Sequence, residues 1–113
     1  MSRRRFDQAM HLMRDKDPRV RENAFDFLRE HADAYVDELI AEFAAERDDP
    51  GLRCWLLELI AEARSPAALG VFRDQLESMD ESLSFWAVRG LEMLDDRAAG
   101  QVLDQARARG LIS

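Results

Sequence analysis

The chain has 113 residues with 47% hydrophobic and 35% charged side chains, which suits one small domain of helices with solvated outer faces. Its net charge of -7, from 16 basic and 23 acidic residues, has the wrong sign for a duplex-binding domain and argues against nucleic acid as a partner. A single cysteine, Cys54, rules out an intramolecular disulfide and fits a reducing compartment. No apolar run reaches the length of a signal peptide or a membrane span, so the expectation is a cytoplasmic protein away from membranes.

In chain order, the first predicted element is a helix over 3–14, carrying Phe6, Met10 and Met13 on one side. Three longer units follow. They open with "DPRVRENAFDFL" at Asp17, "DPGLRCWLLELI" at Asp49 and "DESLSFWAVRGL" at Asp80, at offsets of 32 and 31 residues. Val20, Leu52 and Leu83 then correspond, as do Ala24, Leu56 and Ala87, and Leu28, Ile60 and Leu91. Apolar residues at i, i+4 and i+8 mark one helical face in each copy. The three Asp residues suit the N-cap position, and Pro18 and Pro50 suit the first helical position, where a missing N–H costs nothing.

The second half of each unit matches less closely. The alignment pairs Val36 with Ala68 and Ala99, Leu39 with Val71 and Val102, and Ile40 with Phe72 and Leu103. Asp33, Ser65 and Asp96 stand ahead of these segments as caps, with Pro66 at a first position. The spacing therefore predicts seven helices over 3–14, 18–31, 34–46, 50–63, 66–78, 81–94 and 96–109. The units are 17–46, 49–78 and 80–109, the helix 3–14 caps one end, and Gly110 ends the last helix.

A paired-helix unit of this length opening on Asp-Pro-x-Val-Arg resembles the HEAT-repeat family, in the short bacterial form found in phycobilisome lyases. Asp17, Pro18, Val20, Arg21, Ala24 and Leu28 carry the likeness, with Asp49, Pro50, Leu52, Arg53, Leu56 and Ile60 in the second unit. The third unit departs from it, with Glu81 for the proline and Ser84 for the arginine. The resemblance implies an all-α superhelix, a HEAT-like solenoid of stacked pairs sharing a continuous core. First helices would lie outside and second helices would line a concave side. It also implies that Arg21 and Arg53 tie adjacent units by bonding toward the start of a neighbouring one.

Few residues offer chemistry. His11 and His31 are the only histidines, Cys54 has no ligand-spaced partner, and the acidic turns lack a calcium-loop pattern, so no metal or cofactor is expected. No nucleophile–base pattern is visible, and Cys54 reads as packing rather than thiolate, so no catalysis is expected. Trp55 and Trp86 sit at equivalent positions, as inter-unit packing or as anchors for a partner. Arg3, Arg4 and Arg5 form a small basic cluster read as a solvated terminus.

The expected binding surface is the concave ridge of the second helices: Asp37, Ala41 and Glu42, then Arg73 and Asp74, then Asp104 and Gln105, with Leu69 and Gly100 aligned beside them. An acidic ridge suits a protein or peptide, particularly a basic one, which makes the chain a non-catalytic scaffold or adaptor. The other readings are an immunity-type inhibitor of a basic partner and a lyase- or glycosylase-like enzyme accessory. Homo-oligomers through the apolar ends of the stack are a third kind of assembly.

Overall fold

A computed structural model describes residues 3–112. Among the described residues there are seven α-helices and no strand. They are α1 (Arg3–Met13), α2 (Pro18–Glu30), α3 (Val36–Ala45), α4 (Pro50–Ala63), α5 (Leu69–Gln75), α6 (Glu81–Leu94) and α7 (Arg97–Ala108). Short 3-10 turns at Ala32–Ala34 and Pro66–Ala68 lead into α3 and α5.

Helix starts follow the capping chemistry. The carboxylate of Asp17 accepts from the Arg19 N–H at 3.0 Å, that of Asp49 from Leu52 at 3.1 Å, and that of Asp80 from Ser82 at 2.9 Å. Asp96 caps α7 by accepting from Ala99 at 2.8 Å, and the Ser65 hydroxyl accepts from Ala67 at the 3-10 turn before α5. Each such bond satisfies one of the N–H groups that a first helical turn leaves free. Asp33 does not cap α3. It lies inside the 3-10 turn, and the residue before α3 is Tyr35, which makes no side-chain cap bond.

The three Asp caps that open units are themselves held by a preceding acceptor. Asp15 takes the Asp17 N–H at 2.8 Å, Glu46 takes the Asp49 N–H at 3.1 Å, and the Ser78 hydroxyl takes the Asp80 N–H at 3.0 Å. Different side chains thus repeat one device at each entry to a unit. At the far end, Gly110 adopts φ 77°, its N–H reaches the Arg107 carbonyl, and the Leu111 N–H reaches that of Ala106. That pair of bonds is a Schellman termination, and its left-handed residue is one that glycine supplies without strain.

Packing places the first helices α2, α4 and α6 in succession, with α4 against both of the others. Each second helix lies on the first helix that follows it, α3 on α4 and α5 on α6, while α1 covers α2 and α7 closes against α6. The assembly measures 42 × 28 × 21 Å. Ala24, Leu56 and Ala87 are buried, as are Leu28, Ile60 and Leu91, so the aligned face of the first helices is the core face.

Burial revises the alignment of the second helices by one residue. Tyr35, Leu39 and Phe43 are buried on α3 and its approach, against Ala68, Phe72 and Leu76 on α5 and its approach. The offset between these sets is 33 residues, whereas the first helices repeat at 32. The extra residue lies in the turn after α4, where Arg64 takes a left-handed conformation at φ 50°. The turn after α6 repeats this at Asp95, φ 49°, but the turn after α2 does not, since His31 has φ −115°. Ile40 is therefore half-buried beside the core, and the position equivalent to Phe72 is Leu39.

A close approach in the core joins α5 to α6. Phe72 is fully buried, and a Cβ built at Gly90 would sit 2.4 Å from its ring. Glycine at this position lets the ring lie directly on the α6 backbone. Gly90→Ala is expected to destabilise the fold by about 1–3 kcal/mol through overpacking, and Phe72→Ala by about 3–5 kcal/mol through the cavity it leaves. Combining Gly90→Ala with Phe72→Leu is expected to cost less than the sum of the single changes. Urea unfolding of the parent, the three single variants and the double variant checks both the sizes and the coupling.

Candidate partner-binding surface

The second helices turn their polar sides outward. Asp37 and Ala41 on α3, Arg73 and Asp74 on α5, and Asp104 and Gln105 on α7 are all exposed. Glu42 is half-buried instead, and the residues aligned with this ridge, Leu69 and Gly100, are half-buried too. With the 33-residue offset, Ala41 corresponds to Asp74 and Gln105, while Arg73 corresponds to Ile40 and Asp104. The exposed set widens to include Ala44, Glu77 and Gln101.

The electrostatics of this surface differ from a plain acidic ridge. Arg73 lies 4.0 Å from Asp74, Arg107 lies 3.5 Å from Asp104, and Arg109 lies 3.6 Å from Glu77. Such exposed pairs add little stability, but they reduce the field a partner would meet. Asp37 stands in the first turn of α3, where the helix dipole favours a negative charge.

Glu42 belongs to a different structure. The Arg14 guanidinium, just past the end of α1, reaches Glu42 at 3.4 Å and Glu46 at 3.3 Å. One cation thus joins the leading helix to the last two turns of α3 and its exit. Glu46 has a second task, because its other carboxylate oxygen accepts from the backbone N–H groups of Asp48 and Asp49, both at 3.1 Å. Those two backbone bonds, then Arg14, hold the Glu46 carboxyl below the usual glutamate range. The signal for Arg14 was not periodic: its partners lie 28 and 32 residues away.

The two arginines expected to tie units behave differently from each other. Arg21 donates to the carbonyls of Asp15 at 2.9 Å and Lys16 at 3.2 Å, bracing the turn before its own helix. Arg53 makes no such bond. Its guanidinium lies over the Phe43 ring, 4.1 Å from the centroid, so it ties α4 to the preceding α3 through a cation–π contact. Its Nε is buried without a hydrogen-bond partner.

Along the outer side of the first helices, both tryptophans are half-buried and pack against ring or sulfur neighbours. Trp55 lies 4.8 Å from Phe25 of α2, ring centre to ring centre. Trp86, together with Ser82, reaches the Cys54 sulfur of α4. Each tryptophan thus contacts the preceding first helix. Burial, then the carboxylates of Glu58 and Asp80, pushes the Cys54 thiol up, which keeps it protonated and a poor nucleophile at neutral pH. His31 is stacked on Phe27, and its Nδ1 donates to the Phe27 carbonyl at 2.9 Å. Arg3 pairs with Asp7 at 3.6 Å within α1.

A concavity of about 590 Å³ lies at the turns before α2 and α4, between Arg14, Lys16, Arg21, Glu46, Asp49 and Trp55. Both signs of charge line it. Among the described residues no three His, Cys, Asp or Glu side chains converge as a metal-binding group, and no helix is long and apolar enough to cross a membrane. Compared with known proteins, the chain matches no family model and no curated protein.

Glu46 and Glu58 give opposite pH signatures. Glu46 titrates below its ordinary range when folded, so its stabilising effect is full above the unfolded glutamate range and is lost as pH falls through the lowered value. Burial raises Glu58, so its contribution is full below the unfolded range and is lost as pH rises through the raised value. Glu46→Gln is therefore expected to be less stable than the parent at pH 7, and Glu58→Gln equally or more stable. Both differences are expected to shrink on acidification, as measured by urea unfolding across the acid range.

Proposed function

We propose that the chain is a HEAT-like α-solenoid whose concave side is lined by the second helices, and that it works as a non-catalytic protein- or peptide-binding module. Three helix pairs following one leading helix support this reading, as does the succession of α2, α4 and α6 with α3, α5 and α7 each packed on a neighbouring first helix. In such a stack the apolar sides are consumed by neighbouring units, and the polar ridge remains available.

The observation that carries the proposal is the ridge itself. Asp37, Ala41, Asp74, Asp104 and Gln105 recur on successive helices, are exposed, and hold no part of the core together. Glu42 is left out of the contact set because Arg14 engages it. The partner is read as a protein or peptide segment with donor and cationic groups spaced to meet Asp37, Asp74 and Asp104. Mixed charge along the ridge then gives register and selectivity more than bulk attraction. We place the module in the cytoplasm, in keeping with its one free cysteine.

Charge reversal tests the ridge. The triple variant Asp37→Lys, Asp74→Lys, Asp104→Lys changes exposed side chains and is expected to fold like the parent by circular dichroism. Affinity capture from the native cell, followed by titration of the recovered protein, is expected to show at least about a tenfold loss of affinity for the variant. A recovered partner that binds parent and variant equally would remove the ridge from the interface.

A further inference from the structure

The three large hydrophobic side chains that are exposed among the described residues lie just before, within and just after the last unit: Met79, fully exposed, Phe85 at 60%, and Leu111 at 36%. Phe85 lines a groove of about 470 Å³ together with Leu76, Val88, Leu111 and Ile112, with Glu81, Glu92 and Arg107 also on its wall.

The preceding unit shows what this face is like when covered. Residues 31 positions before Phe85, Val88 and Glu92 are Cys54, Leu57 and Ala61 on α4. Cys54 lies against Ser82 and Trp86 of α6, and Leu57 and Ala61 are fully buried. The face that a neighbouring helix fills at α4 is only partly covered at α6, by Leu111 and Ile112 folded back after Gly110.

We infer that this end of the molecule is a self-association surface, on which a second copy packs by a two-fold axis so that each Phe85 enters the other copy's groove. Two features select a second copy over an unrelated protein. The exposed Phe85 ring, set edge-on to Trp86 at 5.3 Å, forms one wall of the groove, so across a two-fold axis each copy presents both a ring and a groove, which is the condition for an isologous contact. The rim carries both signs, Glu81 and Glu92 with Arg107, whose guanidinium also meets Asp104, so a two-fold axis can bring carboxylates of one copy up to the Asp104–Arg107 pair of the other. The surface meets the second-helix ridge only at Arg107, which pairs with Asp104 at 3.5 Å, and the Asp37 and Asp74 positions lie outside it.

Sedimentation equilibrium over a concentration series tests this with the full chain. The parent is expected to pass from 13.0 kDa to twice that mass and stop there. Phe85→Asp and, independently, Leu111→Glu are expected to move the midpoint up by at least about tenfold in concentration while circular dichroism stays unchanged. A parent that remains monomeric to about 1 mM overturns the inference, since association that weak is negligible. So does a dimer indifferent to both substitutions, and so does open-ended growth, which would mean a head-to-tail contact between unlike ends.

Discussion

Burial of α4 on nearly every side is the constraint on which the rest of this molecule depends. Leu52, Leu56, Leu57, Leu59, Ile60, Ala61 and Ala63 are all withdrawn from water, and α2, α3 and α6 each take part of that surface. No isolated helix pair could achieve this, because a pair has only one internal seam. The flanking units form what α4 lacks, and α4 in turn gives each of them an apolar wall. The same mutual need explains why α6 holds Gly90 under Phe72. The second helix of the middle unit must come close enough for its ring to meet backbone.

Polar side chains then set the register of helices that apolar packing alone would leave free to slide. Arg14 grips α3 through Glu42 and Glu46, Arg21 braces the turn before α2, and Arg53 lies on Phe43. Three chemically different contacts thus tie the first two units to the segments before them. Ion pairs at this degree of exposure contribute modestly to stability, so their value lies in orientation. The acceptors ahead of the capping Asp residues act in the same way, fixing the angle at which each first helix begins.

Two surfaces are left over from this construction, and they differ in kind. The exposed side of the second helices is polar and partly self-neutralised, and it is the surface proposed to meet another protein. The α6 end keeps a ring and a groove because no further helix covers it.

The sequence by itself determined where helices begin, and it did so through local chemistry. Asp17-Pro18, Asp49-Pro50, Asp80 and Asp96 state their caps within a few residues, and the i, i+4, i+8 stripe names the core face of α2, α4 and α6 without reference to anything distant. Only the tertiary structure decided the register of the second helices. One left-handed residue, Arg64, shifts every later position of α5 by one, and burial picks out Tyr35, Leu39 and Phe43 against Ala68, Phe72 and Leu76 as the matching set. It likewise decided that Glu42 faces Arg14 rather than solvent, and that Asp74 and Asp104 stand beside arginines. A cap or a stripe is a property of neighbours along the chain. An ion pair across 28 residues depends on the angle and offset at which two helices meet, and those come from the packing of the whole.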